Sequence, residues 1–232
     1  MEASLRYHYS LSLNPDTSTM SKKIILGSSS KYRALALSTL GLEFGVDFSQ
    51  QSPDIDETAE PMESPDALSS RLALAKAKVI AQNNPGKVII GSDQTGACGD
   101  RILEKPGSME AAIESLRYCS GKTAVFYTGL VVYQHCHPQK NSGEDKYTLD
   151  VETTHLQFRT LSNAQIIDYV RRDMPLDCAG SFKAEGLGIA LFESIQAEDP
   201  SALIGLPLIR LVSRLQEFGI NILSKSPTNG SF

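Results

Sequence analysis

The chain has 232 residues, of which 41% are hydrophobic and 21% are charged, and its formal net charge is −5. This length and apolar content suit one domain or two closely packed lobes and argue against global disorder. The negative charge argues against a protein that grips polymeric nucleic acid over a broad face. No apolar run reaches the roughly 20 residues that a membrane-spanning helix needs, so we expect no membrane partner.

The N-terminal 20 residues are rich in Ser and Thr and lack the continuous apolar core of a secretory signal. We predict that residues 1–20 form a disordered extension, with a targeting peptide as the alternative, and Met1 and Met20 are both open as the start. Residues 21–225 are predicted to form the folded domain and residues 226–232 a short tail. The four cysteines are widely spaced without a Cys-x-x-Cys pair, so we expect a reducing, cytoplasmic setting.

Strands and helices alternate through the first half of the predicted domain. The predicted strands are the β-branched or alternating runs KKIILG, FGVDF and KVIIGSD, at residues 22–27, 44–48 and 87–93. The first helix begins at the N-cap Ser30 and ends at Gly41, and the second begins at Ser64. The apolar stripe of the second helix consists of Leu68, Leu72, Ala75 and Val79. An acidic, proline-bounded loop at residues 52–61 separates these elements.

Long strands dominate the second half. The runs TAVFYTGLVVYQ and YTLDVETTHLQF, at residues 123–134 and 147–158, predict an antiparallel pair, and GLGIALFESI at residues 186–195 predicts a further strand. The predicted helices begin at Ser108, at a capping box formed by Ser162 and Gln165, and at Pro207. Together with the alternation in the first half, these elements predict an α/β fold with a mixed sheet and flanking helices.

Two of the segments suited to chemistry lie in the first quarter of the chain. GSSSKYR, at residues 27–33, lies between a strand and a helix. Backbone N–H groups there, the hydroxyls of Ser28 and Ser30, and Arg33 can hold a phosphate, although a plain helix cap explains the same spacing. DIDE, at residues 54–57, can bind a divalent cation through carboxylate oxygens, or it can be an ordinary solvated acidic loop.

The other candidate segments lie further along the chain. Lys76 is predicted at the margin of its helix's apolar stripe, where it either faces a cleft or is an ordinary surface lysine. Asp93 is predicted just past the end of a buried strand, where open α/β sheets bind ligands, and a hairpin is predicted to return Lys105 to its neighbourhood. GSFKAEG, at residues 180–186, places a lysine and a glutamate between glycines. HCHP, at residues 135–138, is interpreted as a hairpin loop rather than a metal site.

In this order the segments are similar to one family. The series GSSSKYR, DIDE, RLALAKAK, GSDQ, EKP, SGK, YTG and AGSFKAEG resembles the Maf family of nucleotide pyrophosphatases over residues 22–223. Asp93-Gln94 and the segment FKAEG at residues 182–186 resemble the branch that hydrolyses 7-methyl-GTP. The branch acting on dTTP and UTP typically has Thr after the acid and Gln at the position of Glu185.

The resemblance implies a fold like that of inosine-triphosphate pyrophosphatases, with two lobes flanking a deep cleft, and a homodimer is a further expectation. The chain departs from the family at Lys31, where Pro is usual, and at Ala34, where a second Arg is usual. Loss of that Arg would weaken phosphate binding unless Lys31 compensates. The N-terminal extension has no counterpart in the family.

The resemblance also implies an activity, namely hydrolysis between the α- and β-phosphates of a nucleoside triphosphate to a monophosphate and pyrophosphate. Asp93 is the expected general base. The expected cofactor is Mg²⁺ or Mn²⁺, held by Glu57 and Asp93, with Asp56 as an additional candidate ligand. The expected substrate contacts are Ser28, Ser30, Tyr32, Arg33, Lys76, Gln94, Lys105, Lys183 and Glu185.

Elementary chemistry gives several of these residues separate roles. Arg33, Lys76 and Lys105 supply positive charge to the phosphates. The face of Tyr32 attracts the cationic ring of N7-methylated guanine, and the carboxylate of Glu185 can accept from the adjacent N1–H and N2–H₂ donors of guanine. Two alternatives stay open, a dTTP/UTP pyrophosphatase of the same family and a non-catalytic nucleotide-binding regulator of cell division.

Overall fold

The computed structural model describes residues 24–135 and 144–224. The predicted extension at residues 1–20, the tail at residues 226–232 and most of the HCHP segment lie outside that range. The described strands are β1 Ile24–Gly27, β2 Phe48–Gln51, β3 Val88–Cys98, β4 Arg101–Leu103, β5 Thr123–Gln134, β6 Lys146–Phe158 and β7 Phe192–Gln196. The described α-helices are α1 Lys31–Ser38, α2 Pro65–Gln82, α3 Met109–Cys119, α4 Asn163–Asp173 and α5 Leu208–Glu217.

The strands form one seven-stranded sheet in the order β2-β1-β3-β5-β6-β7, with β4 added to β3. β1 pairs in parallel with β2 and β3, whereas the other pairings are antiparallel. The parallel strands come from the part of the chain where helices alternate with strands, and the β5–β6 pair comes from the two long consecutive runs. The predicted α/β fold with a mixed sheet is therefore confirmed.

Two hydrophobic regions divide the molecule into lobes that share the long strands β3, β5 and β6. In the first lobe, both faces of the sheet are covered, one by α2 and the other by α1 and α5. In the second lobe, α3 and α4 cover the other ends of the same strands, and the core there is rich in aromatic side chains. Its largest fully buried members are Phe126, Phe158, Leu116, Leu156 and Ile166.

Helix α2 lies unusually close to the sheet because two strand positions lack a side chain. A Cβ at Gly91 would come within 2.4 Å of the Ala73 carbonyl oxygen, and a Cβ at Gly129 would come within 2.4 Å of that of Ser69. Either substitution would push the helix away from β3 and β5. These glycines therefore set the depth at which Lys76 meets the sheet.

The stripe predicted for α2 is wrong in part, because the buried face is rotated away from Ala75 and Val79. The buried residues of α2 are Leu68, Ser69, Leu72, Ala73, Lys76, Ala77, Ile80 and Ala81. Small residues are frequent on this face because the helix packs directly against the glycines of the sheet. Lys76 consequently lies inside the packed face, and its exposed fraction is 6%.

Two predicted strands are shorter than expected. Residues 44–48 were expected as a strand, but Gly45 has φ 82° and the chain turns there, so β2 begins only at Phe48. In the segment predicted over residues 186–195, Leu187–Leu191 is a 3₁₀-helix and the strand begins at Phe192. A Cβ at Gly188 would come within 2.5 Å of the Lys183 carbonyl oxygen, so this backbone is folded tightly on itself.

Three of the predicted helix caps are confirmed, and the cap at Ser64 is not. Ser30 and Ser108 accept N-cap hydrogen bonds, and Ser162 and Gln165 form the predicted capping box. Ser64 precedes α2 but makes no side-chain cap, and Pro65 begins that helix. The three described cysteines are free. Within the described ranges, no helix has the length and apolar character needed to cross a membrane.

Candidate active site

A cleft of about 990 Å³ opens between the two lobes. Its walls come from the start of α1, the acidic loop before α2, α2 itself, β3, the β4 hairpin and the segment that follows α4. It gathers ten of the residues predicted from the sequence, namely Ser28, Ser30, Tyr32, Arg33, Glu57, Lys76, Asp93, Gln94, Lys105 and Glu185.

The position of Asp93 differs from the prediction and explains where the cleft lies. Asp93 is in the middle of β3, not past its end. The parallel neighbour β1 stops at Gly27, which pairs with Gly91, while β3 continues beside β5. Asp93 is therefore two residues beyond the point where one neighbouring strand ends, and the cleft occupies the gap.

The predicted hairpin between Asp93 and Lys105 is confirmed. β3 and β4 pair antiparallel, with Gly96 opposite Leu103 and Cys98 opposite Arg101. β4 thus runs back along β3, and Lys105, two residues after its end, lines the same cleft as Asp93. Lys105 is exposed, which leaves its ammonium available to a charged ligand.

Lys76 joins two carboxylates at the centre of the cleft. Its Nζ lies 2.6 Å from Asp93 Oδ1 and 2.7 Å from Glu57 Oε1. The side chains of Lys76 and Asp93 are 7% and 10% exposed, whereas that of Glu57 is 53% exposed. The pair is thus held at the floor of the cleft, and Glu57 closes over it from the acidic loop.

Ser28 and Arg33 form the end of the cleft at the start of α1. The Ser28 hydroxyl accepts from the Ser30 backbone N–H and from Arg33 Nη1, both at 3.1 Å. Arg33 Nε also donates to the Gly205 carbonyl at 2.8 Å. Loss of water around the guanidinium lowers the pKa of Arg33, while Asp93 and Glu57 oppose that shift. An arginine held in this way presents a fixed positive charge beside a helix N-terminus, which suits an anion.

A further wall is the end of a 3₁₀ turn, Pro200–Ile204, which lines the cleft through Leu203, Ile204 and the following Gly205. Gln94 Nε2 donates to the carbonyl oxygens of Ala202 and Leu203, at 2.9 and 3.3 Å. The Thr128 hydroxyl donates to the Ala202 carbonyl at 3.0 Å. Sequence reasoning gave Thr128 no role, although it is the central residue of the YTG motif.

The end of the cleft near the second lobe contains Tyr32, Cys178 and Glu185. Burial raises the pKa of the Tyr32 phenol, and Lys31 Nζ lies 5.0 Å from the centroid of its ring. Burial also raises the pKa of the Cys178 thiol to about 12, and Asp177 adds to this effect. Burial therefore favours the neutral thiol of Cys178 over the thiolate that a nucleophile requires.

Two candidates are not brought into the cleft. Lys183 Nζ donates to the carbonyl oxygens of Asp173 and Met174, at 2.6 and 3.2 Å, and so neutralises the C-terminal end of α4. The Asp56 carboxylate accepts from the Thr58 backbone N–H at 2.9 Å and does not line the cleft. Lysines that cap helix ends and aspartates that form turns are common, and the motif spacing does not separate them from ligand contacts.

The two carboxylates on Lys76 fit a divalent cation that is shared with a substrate. Asp93 and Glu57 converge on one cationic atom at 2.6 and 2.7 Å. Among residues 24–135 and 144–224, no group of three or more His, Cys, Asp or Glu side chains could hold a metal by itself. Mg²⁺ is usually bound by one or two carboxylates together with phosphate oxygens and water, and this donor set fits that pattern.

Comparison with known proteins gives one family over most of the chain. A family model described as "Maf-like protein" matches residues 23–218. A 7-methyl-GTP pyrophosphatase of Nitrosococcus oceani is 46% identical over 200 residues, which cover 86% of this chain and 95% of that protein. The protein of the same name in Colwellia psychrerythraea is 43% identical over 204 residues, 88% of this chain and 96% of the relative.

A third relative and a solved structure complete the comparison. A 7-methyl-GTP pyrophosphatase of Idiomarina loihiensis is 44% identical over 208 residues, 89% of this chain and the whole of that protein. The structure of a HAM1 protein from Coxiella burnetii is 15% identical, with a TM-score of 0.45, and the match covers 84% of this chain and 99% of that one.

Proposed function

The chain belongs to the Maf family, and we propose that it is the pyrophosphatase that hydrolyses 7-methyl-GTP to 7-methyl-GMP and pyrophosphate. The observation that carries the proposal is Lys76 between Asp93 and Glu57, on the floor of a cleft that also holds Arg33 and Lys105. Relatives named 7-methyl-GTP pyrophosphatase match at 43–46% identity over most of both chains, which supports the choice of branch.

The positively charged side chains of the cleft counter the main electrostatic obstacle to the reaction. A triphosphate carries about four negative charges, which repel an attacking water unless positive groups surround it. Arg33 lies at one end, Lys76 at the centre and Lys105 on the hairpin opposite. Together they hold the phosphates and stabilise the charge that moves onto the leaving pyrophosphate.

Asp93 is the residue proposed to take the proton from the attacking water. Its carboxylate is fixed by Lys76 at 2.6 Å through one oxygen, Oδ1, and a fixed carboxylate in a cleft can act as a general base. Asp93 and Glu57 would hold Mg²⁺ or Mn²⁺. When bound, the ion supplies additional positive charge against the phosphate oxygens.

Recognition of the base is proposed to rest on Tyr32 and Glu185, which line the same end of the cleft. The ring of N7-methylguanine is cationic, and the tyrosine face and the glutamate charge both favour a cation. Glu185 is exposed in the free protein, so its two oxygens are available to the adjacent donors of guanine.

Neither alternative function is favoured by a specific observation in the cleft. In a dTTP/UTP pyrophosphatase the pyrimidine would have to face Glu185. Each pyrimidine offers that carboxylate a single N–H donor flanked by carbonyl oxygens. A regulator that only binds nucleotides needs cations but does not need a buried carboxylate held at the phosphate end. The Lys76–Asp93 pair therefore favours the hydrolase.

The test is a pyrophosphate-release assay over 7-methyl-GTP, GTP, dTTP and UTP, with Mg²⁺, with Mn²⁺ and with a chelator. We expect 7-methyl-GTP to have the highest kcat/KM and the chelator to abolish turnover. Asp93→Asn serves as the matched inactive control, because the amide is nearly isosteric. Preference for dTTP or UTP would establish the other branch, and nucleotide binding without pyrophosphate release from any substrate would establish the regulator.

A further inference from the structure

The Gln94 amide group is held in one orientation by its neighbours. Its Nε2 lies 2.9 Å from the Ala202 carbonyl oxygen, 3.3 Å from that of Leu203 and 3.1 Å from Thr128 Oγ1. Carbonyl oxygens only accept hydrogen bonds, so two of the three partners require a donor. An amide turned by 180° would set its oxygen against both of them.

The direction of the third hydrogen bond, between Gln94 and Thr128, follows from the single hydroxyl proton of Thr128. A hydroxyl has one proton, and that of Thr128 is donated to the Ala202 carbonyl at 3.0 Å. Thr128 Oγ1 can therefore only accept from Gln94, whose two amide protons are shared among Thr128 Oγ1 and the two carbonyl oxygens. The sheet register makes this contact possible, because Gln94 and Thr128 are directly opposite each other on β3 and β5. Thr128 is fully buried, so no water competes for its proton.

The turn that supplies the carbonyl oxygens is itself anchored. The Asp199 carboxylate, 1% exposed, accepts from the backbone N–H groups of Ser201 and Ile209 at 3.1 and 2.7 Å. Buried Glu152 accepts from the backbone N–H groups of Glu198 and Asp199, at 3.1 and 3.0 Å. These bonds fix Pro200–Ile204 against β6 and α5, so the acceptors that face Gln94 do not move freely.

We propose that Thr128 is a positioning residue that acts together with the carbonyl oxygens of Ala202 and Leu203 to hold the Gln94 amide with its oxygen toward the nucleoside, where it accepts from the donor edge of guanine. Gln94 lines the cleft, and no donor in the described part of the chain is bonded to its Oε1. Phosphate oxygens are acceptors and would be repelled there. Leu203, whose carbonyl oxygen accepts from Gln94, lines the cleft and also lines a smaller pocket of about 340 Å³ together with Glu185, which brings the amide and the carboxylate to the same part of the cleft.

This inference rests on the proposed function for its choice of substrate, and it adds a second acceptor to the one supplied by Glu185. Guanine presents donors at both N1 and N2, whereas the same edge of adenine presents an acceptor at N1 beside its N6 amino donor. Because Glu185 already supplies one acceptor, a second acceptor from the amide matches both donors of guanine but leaves an acceptor facing N1 of adenine. An amide free to turn would offer its donor end to adenine and lose this discrimination.

The test measures the ratio of kcat/KM for 7-methyl-GTP to kcat/KM for ATP in Gln94→Met, Thr128→Val and the double variant. We expect the ratio to fall roughly 5- to 150-fold in Gln94→Met and about 2- to 10-fold in Thr128→Val. Because Thr128 acts through Gln94, Thr128→Val should not lower the ratio further in the Gln94→Met background. Thr128→Ser, which keeps the hydroxyl, should restore the wild-type ratio.

Thr154→Val is the matched structural control. Thr154 is also fully buried in a strand, and its hydroxyl has no hydrogen-bond partner among the described residues, so the same substitution there should leave the ratio unchanged. Equal losses for both nucleotides in Thr128→Val, additive effects in the double variant, or failure of Thr128→Ser to restore the ratio would each overturn the proposal. Equal losses for GTP and ATP with dGTP unaffected would assign the contact to the ribose and would also overturn it.

A binding measurement distinguishes failure of this inference from failure of the proposed function. The affinities of α,β-methylene analogues of 7-methyl-GTP and ATP, which are not hydrolysed between those phosphates, are measured by titration calorimetry in the same variants. If the wild type releases no pyrophosphate from any nucleotide, the proposed function fails. The ratio of analogue affinities then still has to fall in Thr128→Val if the amide is held as described, and an unchanged ratio overturns the inference alone.

Discussion

Replacing Lys76 by Met removes the ammonium from the floor of the cleft and keeps most of the stem that packs against the sheet. Asp93 then stays as a nearly buried carboxylate without its partner at 2.6 Å. We expect two separable results, a loss of stability caused by the unpaired charge and a loss of kcat/KM that is similar for every nucleotide, because phosphate contacts do not distinguish bases.

The size of the stability loss follows from burial. The side chains of Lys76 and Asp93 are 7% and 10% exposed, so their pair is a buried one, and breaking it by removing one partner costs about 3–5 kcal/mol. The contact with Glu57, 53% exposed, adds about 0–1 kcal/mol. For a chain of this size, 1 kcal/mol shifts Tm by about 2–4 °C, so a total loss of about 3–6 kcal/mol in Lys76→Met should lower Tm by about 6–24 °C.

Thermal unfolding followed by circular dichroism measures this loss of stability. A chelator is present so that no metal ion takes the place of the missing ammonium. Lys78→Met is the matched control, since Lys78 is exposed on the same helix, and it should change stability by less than about 0.5 kcal/mol. The double variant Lys76→Met/Asp93→Asn should recover most of the loss because the amide carries no charge. A Tm for Lys76→Met within 2 °C of wild type (about the shift from 1 kcal/mol), or no recovery in the double variant, would refute the reasoning.

Three further predictions concern proton transfer by Asp93, recognition of the nucleobase by Glu185, and the pairing of Glu63 with Arg71. Asp93→Asn should keep nucleotide affinity and lower kcat at least about 10²-fold, and near-normal kcat in single-turnover assays would remove Asp93 from the base role. Glu185→Gln turns one acceptor into a donor, so kcat/KM should fall roughly 5- to 150-fold for 7-methyl-GTP and GTP and less for UTP and dTTP; equal losses across the four would show that Glu185 does not contact the base. Hydrogen bonds from Arg71 lower the pKa of Glu63 from 4.5 to about 2. The stability that this pair contributes is fully present above pH 4.5 and is lost as the pH falls through about 2, so urea titrations of Glu63→Gln should show a weaker dependence on pH in that window, and an unchanged dependence would contradict the assignment.

Much of the fold could be predicted from local signals. The caps at Ser30 and Ser108 and the capping box at Ser162 are properties of a few neighbouring residues. The β3–β4 hairpin turns at Gly99 and Asp100, directly after β3, where Gly99 has φ 56°. These features depend on short-range chemistry, which the sequence displays directly.

The parts that could not be predicted depend on contacts between distant residues. Lys76 is buried because Gly91 and Gly129 admit α2 to the sheet, and no pattern within the helix reports that. Asp93 lies within a strand because β5 extends β3 after β1 has ended, which only the sheet order shows. Lys183 donates to the end of α4 because the chain folds back there.

The candidate site, like the fold, could be predicted from the sequence only in part. Ten residues named from motif resemblance line one cleft, yet the motifs carry no information about which atoms face it. Thr128 received no role because its contact with Gln94 depends on strand register and on a turn more than seventy residues later. The expected cytoplasmic location and homodimer stay predictions.

The position of an oxygen label tests the central claim most directly. Hydrolysis of 7-methyl-GTP is run in ¹⁸O-labelled water with Mg²⁺, and the products are separated and weighed by mass spectrometry. Attack at the α-phosphorus, with Asp93 taking the proton from water, predicts equal amounts of 7-methyl-GMP and pyrophosphate with the label in 7-methyl-GMP alone. Label in the pyrophosphate, or 7-methyl-GDP and inorganic phosphate as products, would contradict the account.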